Sequence, residues 1–455
     1  MNYDESVRAL MALGRELAAP QHARVQKFGL ANITTLAAAL GDPQRTALCA
    51  HIAGTNGKGS TAAMLESILR SAGLRTALYT SPHLERINER IRIDGTDISD
   101  ADFAAAWTRV QASIESLLAS GKLAAHPTYF ECITALAFTA FAQHGIDFAV
   151  YEVGLGGRLD ATNVVQPEVA VITSIDFDHE SFLGHSIAEI AAEKAGIIKA
   201  GAWVASSAER PEARAVIARR CKDLDARLVE VDTAWRVEET GVTGGCYRAT
   251  AAAPQSQKKI ALEPPLPGRF QIRNALAAAT AARLLAERGF PVTDDAIARG
   301  IRAVRWPGRL ERLCEHPAVY LDGTHNPAGA RELLKFWKEN FKGRRILLVY
   351  GAMRDKAVDE IAGLLFPAVD FVMLTEPIQP RAISAPLLAE MTGHLARSSA
   401  VARDPADALE RTIEMASPED AVFATGSLYL VGDLRRHWGK RASTGKAPRV
   451  PTVPE

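Results

Sequence analysis

The sequence predicts an α/β protein in which one parallel-sheet domain is followed by a smaller one, and three observations carry that expectation. Short apolar runs alternate with amphipathic helical patterns along nearly all of the 455 residues. A glycine-rich turn joins the first strand-like run to a helix. A second strand–helix series begins near residue 318, beyond an interruption at Arg305-Trp306-Pro307-Gly308.

In the first series the runs 47–53, 75–79, 148–153 and 169–175 are short and continuously apolar, as strands covered on both faces are. Helical patterns over 61–72 and 187–197 lie between and after them. That alternation marks a parallel sheet with helices on both sides. Runs at 318–321, 345–350, 371–374 and 421–424, each closing on a polar turn, predict a smaller Rossmann-like sheet. Pro307 and Gly308 interrupt the pattern between the series and set a boundary between residues 1–305 and 306–438. Residues 251–259, with Pro254, read as a surface loop of the first domain. Residues 439–455 hold four basic residues, three prolines and little that could form a core, and read as a disordered tail.

Lys+Arg and Asp+Glu both number 53, so the formal net charge is zero. That balance argues against a nucleic-acid-binding protein, while leaving room for a locally basic cleft. No run approaches the roughly 20 apolar residues of a membrane span. The acidic start MNYDESVRAL does not resemble a secretory signal. Five scattered cysteines without CxxC spacing argue against a disulfide framework or zinc site and suit a reducing cytoplasm.

The strongest local signal is Gly54-Thr55-Asn56-Gly57-Lys58-Gly59-Ser60-Thr61, set between an apolar strand and an amphipathic helix. Glycines let consecutive backbone N–H groups face phosphate oxygens, and the helix start adds partial positive charge. Lys58 supplies a full cation for terminal phosphates, and Ser60 or Thr61 offers a hydroxyl to the nucleotide. The pattern departs from GxxxxGK[ST]: Ala53 stands five residues before Lys58, and Gly59 intervenes before Ser60. The order of strand, glycines, lysine, hydroxyl and helix nevertheless predicts a P-loop for a mononucleotide.

Glu152 closes the run at 148–153, and Ser174-Ile175-Asp176-Phe177-Asp178-His179 closes the next. Ligands of open α/β sheets bind at the carboxyl ends of strands. Glu152 is therefore a candidate for Mg²⁺, which prefers oxygen ligands; the alternative is a structural pair with Arg158. His179 is a ligand candidate by its position one strand further on, and alone would read as structural. Ser186 and Glu189 have capping-box spacing. On the helix they open, Ile187, Ile190 and Ala191 form an apolar stripe whose next position is Lys194. A buried lysine tends to lose its proton or be modified, for example to a carbamate; the alternative is a lysine snorkelling to the surface.

Together GTNGKGS (54–60), TSPHL (80–84), NERIR (88–92), EVGLGGRLDATN (152–163), AAEKAGIIK (191–199), PGRLE (307–311), LDGTHNP (321–327) and TGSLYLVGD (425–433) resemble the folylpolyglutamate synthases and dihydrofolate synthases of the Mur ligase superfamily. The likeness runs from KFGLANI at 27–33 to about residue 438. It implies a Mur-type ATP-binding domain and a C-terminal ligase domain that attach glutamate to folate, or to dihydropteroate, through an acyl phosphate. By the same resemblance Lys58 and its loop hold the β- and γ-phosphates. Ser81 and Glu152 hold one Mg²⁺, Glu152 and His179 a second, and Lys194 is the carbamylated lysine. Asn274 and Arg309 contact nucleotide, Asp322 and His325 close over ATP and the reacting groups, and Ser427 belongs to the glutamate site. Ser60 stays beside Ser81 as a metal candidate. Thr128 and Glu131 are taken as a structural capping box.

Two other readings stand against this one. A Mur ligase acting on a UDP-muramyl substrate would share the phosphate loop, but SPHL, GLGGRLDATN and DGTHNP are folate-type. A regulatory GTPase would need an NKxD motif, which is absent, and no second α/β domain. A cytoplasmic monomer acting on ATP, folate or dihydropteroate, and L-glutamate is expected, with neither nucleic acid nor membrane as partner.

Overall fold

The structure is a computed structural model that describes residues 1–13 and 29–443. Lys27 and Phe28 of the KFGLANI motif, and residues 444–455 of the expected tail, lie outside it.

The first lobe is built on strands β1 (Leu48–Ala53), β2 (Thr76–Tyr79), β3 (Ile91–Ile93), β4 (Thr96–Asp97), β5 (Phe148–Glu152), β6 (Val169–Ile172), β7 (Trp203–Ser206) and β8 (Arg227–Glu230), in the order β4-β3-β2-β5-β1-β6-β7-β8. β2, β5, β1, β6, β7 and β8 pair in parallel, and the hairpin β3–β4 adds an antiparallel edge. β1 is buried between β5 and β6, so its carboxyl end, where the glycine turn begins, lies at the centre of the sheet. One face is covered by the helices Lys58–Ser71, Phe270–Glu287 and Asp294–Ala303, with Ile52, Leu65, Val150, Ala278 and Ile301 in one core. The other face packs Tyr79 and Tyr151 against the helices Asp100–Ala119 and Tyr129–His144, the latter bringing Phe138.

The antiparallel sheet of β9 (Arg236–Thr243), β10 (Cys246–Ala252) and β11 (Ile260–Leu262) was not expected. β9 is exposed at every position, so it carries no apolar alternation that would betray a strand. The expected loop 251–259 is the connection between β10 and β11, its first two residues being strand.

The second lobe orders β12 (Glu311–Glu315), β13 (Ala318–Leu321), β14 (Ile346–Tyr350), β15 (Phe371–Leu374), β16 (Ser399–Val401) and β17 (Ala421–Thr425) as β12-β13-β17-β14-β15-β16, parallel except for β12. The strand expected over 169–175 ends at Ile172, where Thr173 turns its hydroxyl back to the Asn56 carbonyl at 2.8 Å. The helix expected from 61 begins at Lys58. The last helix, Leu428–Ser443, runs five residues into the segment expected to be disordered.

Candidate functional site

The carboxyl ends of β1, β5 and β6 and the loop after β13 converge on a cleft of about 770 Å³ between the lobes. That volume suits a nucleotide with part of a second ligand. Its floor is the glycine turn. Gly57 stands at φ 84°, in the left-handed region, and a Cβ there would lie 2.3 Å from Asn274 Oδ1. The helix starts at the next residue, so the N–H groups of Lys58, Gly59 and Ser60 have no acceptor within the helix. Lys58 folds its ammonium onto the Thr55 carbonyl at 3.1 Å. Burial lowers its pKa, partly offset by Glu152 and Asp178.

Glu152 is 5% exposed, and its Oε2 accepts the Ser81 N–H at 3.1 Å. Burial raises its pKa, with Lys58 opposing. Arg158 is not its partner: that guanidinium pairs with Glu193 at 2.8 Å. Lys194 is 4% exposed on the apolar face, as the stripe predicted, and donates to the Gly54 carbonyl at 2.8 Å. Burial, helped by the Lys58 charge, brings its pKa down to about 7. The Ser186–Glu189 and Thr128–Glu131 capping boxes both form.

The second lobe closes the far side. Asp322 accepts the N–H groups of Leu310 and Thr324 at 2.9 and 3.0 Å, which fixes the turn that holds Arg309 and His325 against the cleft. His325 Nδ1 lies 2.7 Å from the Gly323 carbonyl, so Nδ1 carries the proton and Nε2 is an acceptor. Burial, with Lys356 adding, lowers its pKa to about 3. Asn326 caps the helix Pro327–Asn340, with Pro327 in its first turn.

The structure thus brings to one cleft Gly54 to Ser60, Ser81, Glu152, His179, Lys194, Asn274, Arg309, Asp322 and His325. Two candidates do not line it. Thr61 is fully buried, its hydroxyl unpartnered beneath the turn. Ser427 is 2% exposed and accepts the Tyr429 N–H at 3.1 Å.

Sequence reasoning missed a polar network that spans the lobes. Asn56 and Asn326 exchange amide hydrogen bonds at 3.2 and 2.9 Å, and Asn326 donates to Asp178 at 3.2 Å. Lys356, its side chain 9% exposed, donates to Asp178 Oδ1 and to His179 Nε2, both at 2.9 Å. An Asp-Lys pair in a polar loop carries no spacing signal, so nothing in the sequence pattern marks Lys356. The cleft rim adds Arg210, Arg269, Arg273, Arg331 and Lys335, each paired with a carboxylate: Asp176, Glu339, Asp232, Glu360 and Glu332 in turn.

Fold, phosphate turn and two-lobed cleft define a Mur-type ATP-dependent ligase. The Mur ligase middle domain pattern matches residues 52–282, and that of the Mur ligase glutamate ligase domain residues 308–428. The Bacillus subtilis dihydrofolate synthase/folylpolyglutamate synthase is 36% identical over 413 residues, covering 90% of this chain and 95% of its own. The Escherichia coli protein of the same name is 33% identical, with 93% and 94% covered. Among solved structures, Mycobacterium tuberculosis folylpolyglutamate synthase complexed with ADP and AMPPCP has a TM-score of 0.85 at 33% identity, covering 95% of this chain and 99% of its own. E. coli FolC in complex with DHPP and ADP has a TM-score of 0.84 at 31% identity, with 97% and 99% covered. The chain belongs to the folylpolyglutamate synthase/dihydrofolate synthase family of Mur ligases. Among the described residues no helix is long and apolar enough to cross a membrane.

Proposed function

We propose that this chain joins L-glutamate to the carboxylate of a folate, and also to dihydropteroate, at the expense of ATP. The observation that carries the reading is the convergence of Lys58, Glu152 and Lys194 on one end of a cleft whose other wall brings Arg309, Asp322 and His325. A muramyl substrate is not favoured, because the relatives matched over nearly their whole length are folate enzymes.

A carboxylate oxygen of the acceptor attacks the γ-phosphorus, the bond to ADP breaks, and an acyl phosphate results. The glutamate amine then attacks the acyl carbon, loses a proton and expels phosphate. The protein's work in the first step is positioning and charge stabilisation. The N–H groups of the turn hold the phosphates in line, Lys58 neutralises the charge growing on the transferred group, and Arg309 covers it from the second lobe. Closure of the lobes excludes water that would hydrolyse the acyl phosphate. In the second step His325, neutral with the proton on Nδ1, accepts at Nε2 a hydrogen bond from the incoming amine. Ser427 lies behind the turn and acts on the glutamate site through the backbone that it holds.

The donor set fits Mg²⁺. Ser81 and Glu152 adjoin, the Ser81 N–H donating to Glu152, with Ser60 as an alternative hydroxyl, and His179 follows β6, on the far side of β1 from Glu152. No three of His, Cys, Asp or Glu among the described residues form a complete metal cage. An Mg²⁺ ion at a phosphate site completes its shell with water and phosphate oxygens. When bound, two such ions would neutralise phosphate charge and polarise the transferred group. With a pKa of about 7, Lys194 is partly neutral near pH 7. Its nitrogen can add to CO₂, forming an N–C bond and releasing a proton, to give an anionic oxygen ligand.

The deciding assay follows ADP release from the purified chain with ATP, Mg²⁺ and glutamate, adding dihydropteroate, a reduced folate or a UDP-muramyl peptide in turn. Release with both pteridine acids and not with the muramyl peptide is expected. Release with none of the three overturns the proposal.

A further inference from the structure

The lobes also meet outside the cleft, where the last helix reaches the loop that follows β2. Gly432 lies inside that helix, where glycine is less favourable than alanine. Its reason is steric: a Cβ at Gly432 would stand 2.0 Å from the Leu84 carbonyl oxygen and 2.8 Å from its carbon. Those are backbone atoms held on their own side, because Glu89 accepts the N–H groups of Leu84, Glu85 and Arg86 at 2.7, 3.0 and 2.9 Å. The loop therefore cannot give way cheaply. Gly308 approaches the same residue, its notional Cβ 2.9 Å from Leu84 Cδ1. Arg435 ties the seat together by pairing with Glu85 at 2.5 Å and Glu311 at 3.0 Å, and Glu311 accepts the Gly308 N–H at 2.8 Å.

The residue after Gly308 is Arg309, whose guanidinium lies in the cleft within the field of Glu152 and Asp322. The geometry points to Gly432 as a positioning residue: by lacking a side chain it lets the second lobe seat on Leu84, and that seat sets where Arg309 stands over the nucleotide. The inference rests on the proposed nucleotide role of the cleft, but not on the identity of the acceptor or of the amino acid joined to it.

Gly439 supplies an internal control. It lies in the same helix, and a Cβ there meets nothing within 4 Å. Alanine favours the helix at both sites, so loss of helix cannot explain a difference between them. ADP affinity of the full chain, measured by calorimetry with Mg²⁺, should weaken at least fivefold in Gly432→Ala and stay within twofold of the unaltered chain in Gly439→Ala. The ATP KM should rise in parallel. In an Arg309→Ala background, Gly432→Ala should have no further effect on ADP affinity, which a merely structural contact would not produce. Should Gly432→Ala fail to fold, Glu85→Gln loosens the same seat without a clash, and about a threefold weakening is expected. Equal ADP affinity in the two alanine variants, an undiminished effect without Arg309, or an unchanged Glu85→Gln protein would each overturn the inference. ADP binding without turnover of any pteridine acid would sink the proposed function alone, whereas no ADP binding by the unaltered chain sinks both.

Discussion

Two of the contacts between the lobes are built from opposite materials. At the Leu84 seat, backbone meets glycine, Leu84 and Val431 pack together, and Arg435 bridges Glu85 and Glu311 at its edge. Across the cleft the lobes meet through Asn56, Asp178, His179, Asn326 and Lys356, all hydrogen-bonding groups. No residue serves both. A close-packed contact has one geometry and no use for a charged ligand. A polar contact can exchange its partners for phosphate oxygens or a cation at little cost, since each broken bond is replaced. The seat is suited to persist while the cleft opens, and the network to yield when ligands enter.

If chemistry resides on the polar side, the largest losses of turnover belong there and should come with little loss of stability. Lys58→Ala is expected to lower turnover by about three orders of magnitude, the scale of removing a preorganised charge from a transition state. Its thermal midpoint should stay within a few degrees, because burial disfavours the charged ammonium and its loss costs the fold little. Near-normal steady-state activity would remove Lys58 from the phosphate site. Lys194→Ala should cost about a hundredfold, as loss of a residue that sets a metal's environment does. Part of that should return when a short-chain carboxylic acid supplies the missing oxygens. Absence of rescue across a concentration series would argue against the carbamate.

The legible and illegible parts of the molecule divide along the same line. Lys194 was legible because a helix repeats every 3.6 residues, so the apolar neighbours Ile187, Ile190 and Ala191 fix its face. The phosphate turn and the strand-end carboxylate were legible because each is a local pattern with a local cause. The alternative pairing of Glu152 with Arg158 failed because Arg158 reaches instead to Glu193, on a helix that sequence distance hides. Lys356 and Asp178 are 178 residues apart, and Gly432 and Leu84 nearly twice that. Such contacts depend on where two lobes come to rest, which no window of a single chain encodes. Thr61 was misplaced for a smaller reason: one residue along a helix is a rotation of about 100°, enough to turn its hydroxyl from the cleft into the core.

The independence of the two contacts can be tested as an energy. Lys356→Met breaks a buried pair and leaves Asp178 with only Asn326, His179 and His325 beside it, so about 3 kcal/mol of stability should be lost. Groups that share no partner should add within about 0.5 kcal/mol. Urea unfolding of Lys356→Met, Gly432→Ala and the double variant completes the cycle. A coupling well beyond that margin would mean that the seat and the network form one unit.

The smallest effect is the dependence of the network on pH. Burial lowers the pKa of His179 to about 4, with Lys356 adding, and His325 is lowered to about 3. Unfolded, each would titrate near about 6.5. Between those values the unfolded chain binds more protons than the folded one, so stability rises with pH. The contribution of both rings is therefore complete above about pH 6.5. It drains away as pH falls toward the folded values. Asp178 is drawn down in pKa despite its burial, chiefly by Lys356, and so adds a loss only at lower pH still. Replacing the ammonium in Lys356→Met removes a cation that opposes protonation of His179, so the fall should begin at the same pH but be shallower. Thermal midpoints of the two proteins from pH 7 to pH 4.5 would show this as converging curves; parallel curves would mean that Lys356 holds the lobes without setting the charge of the histidine beside it.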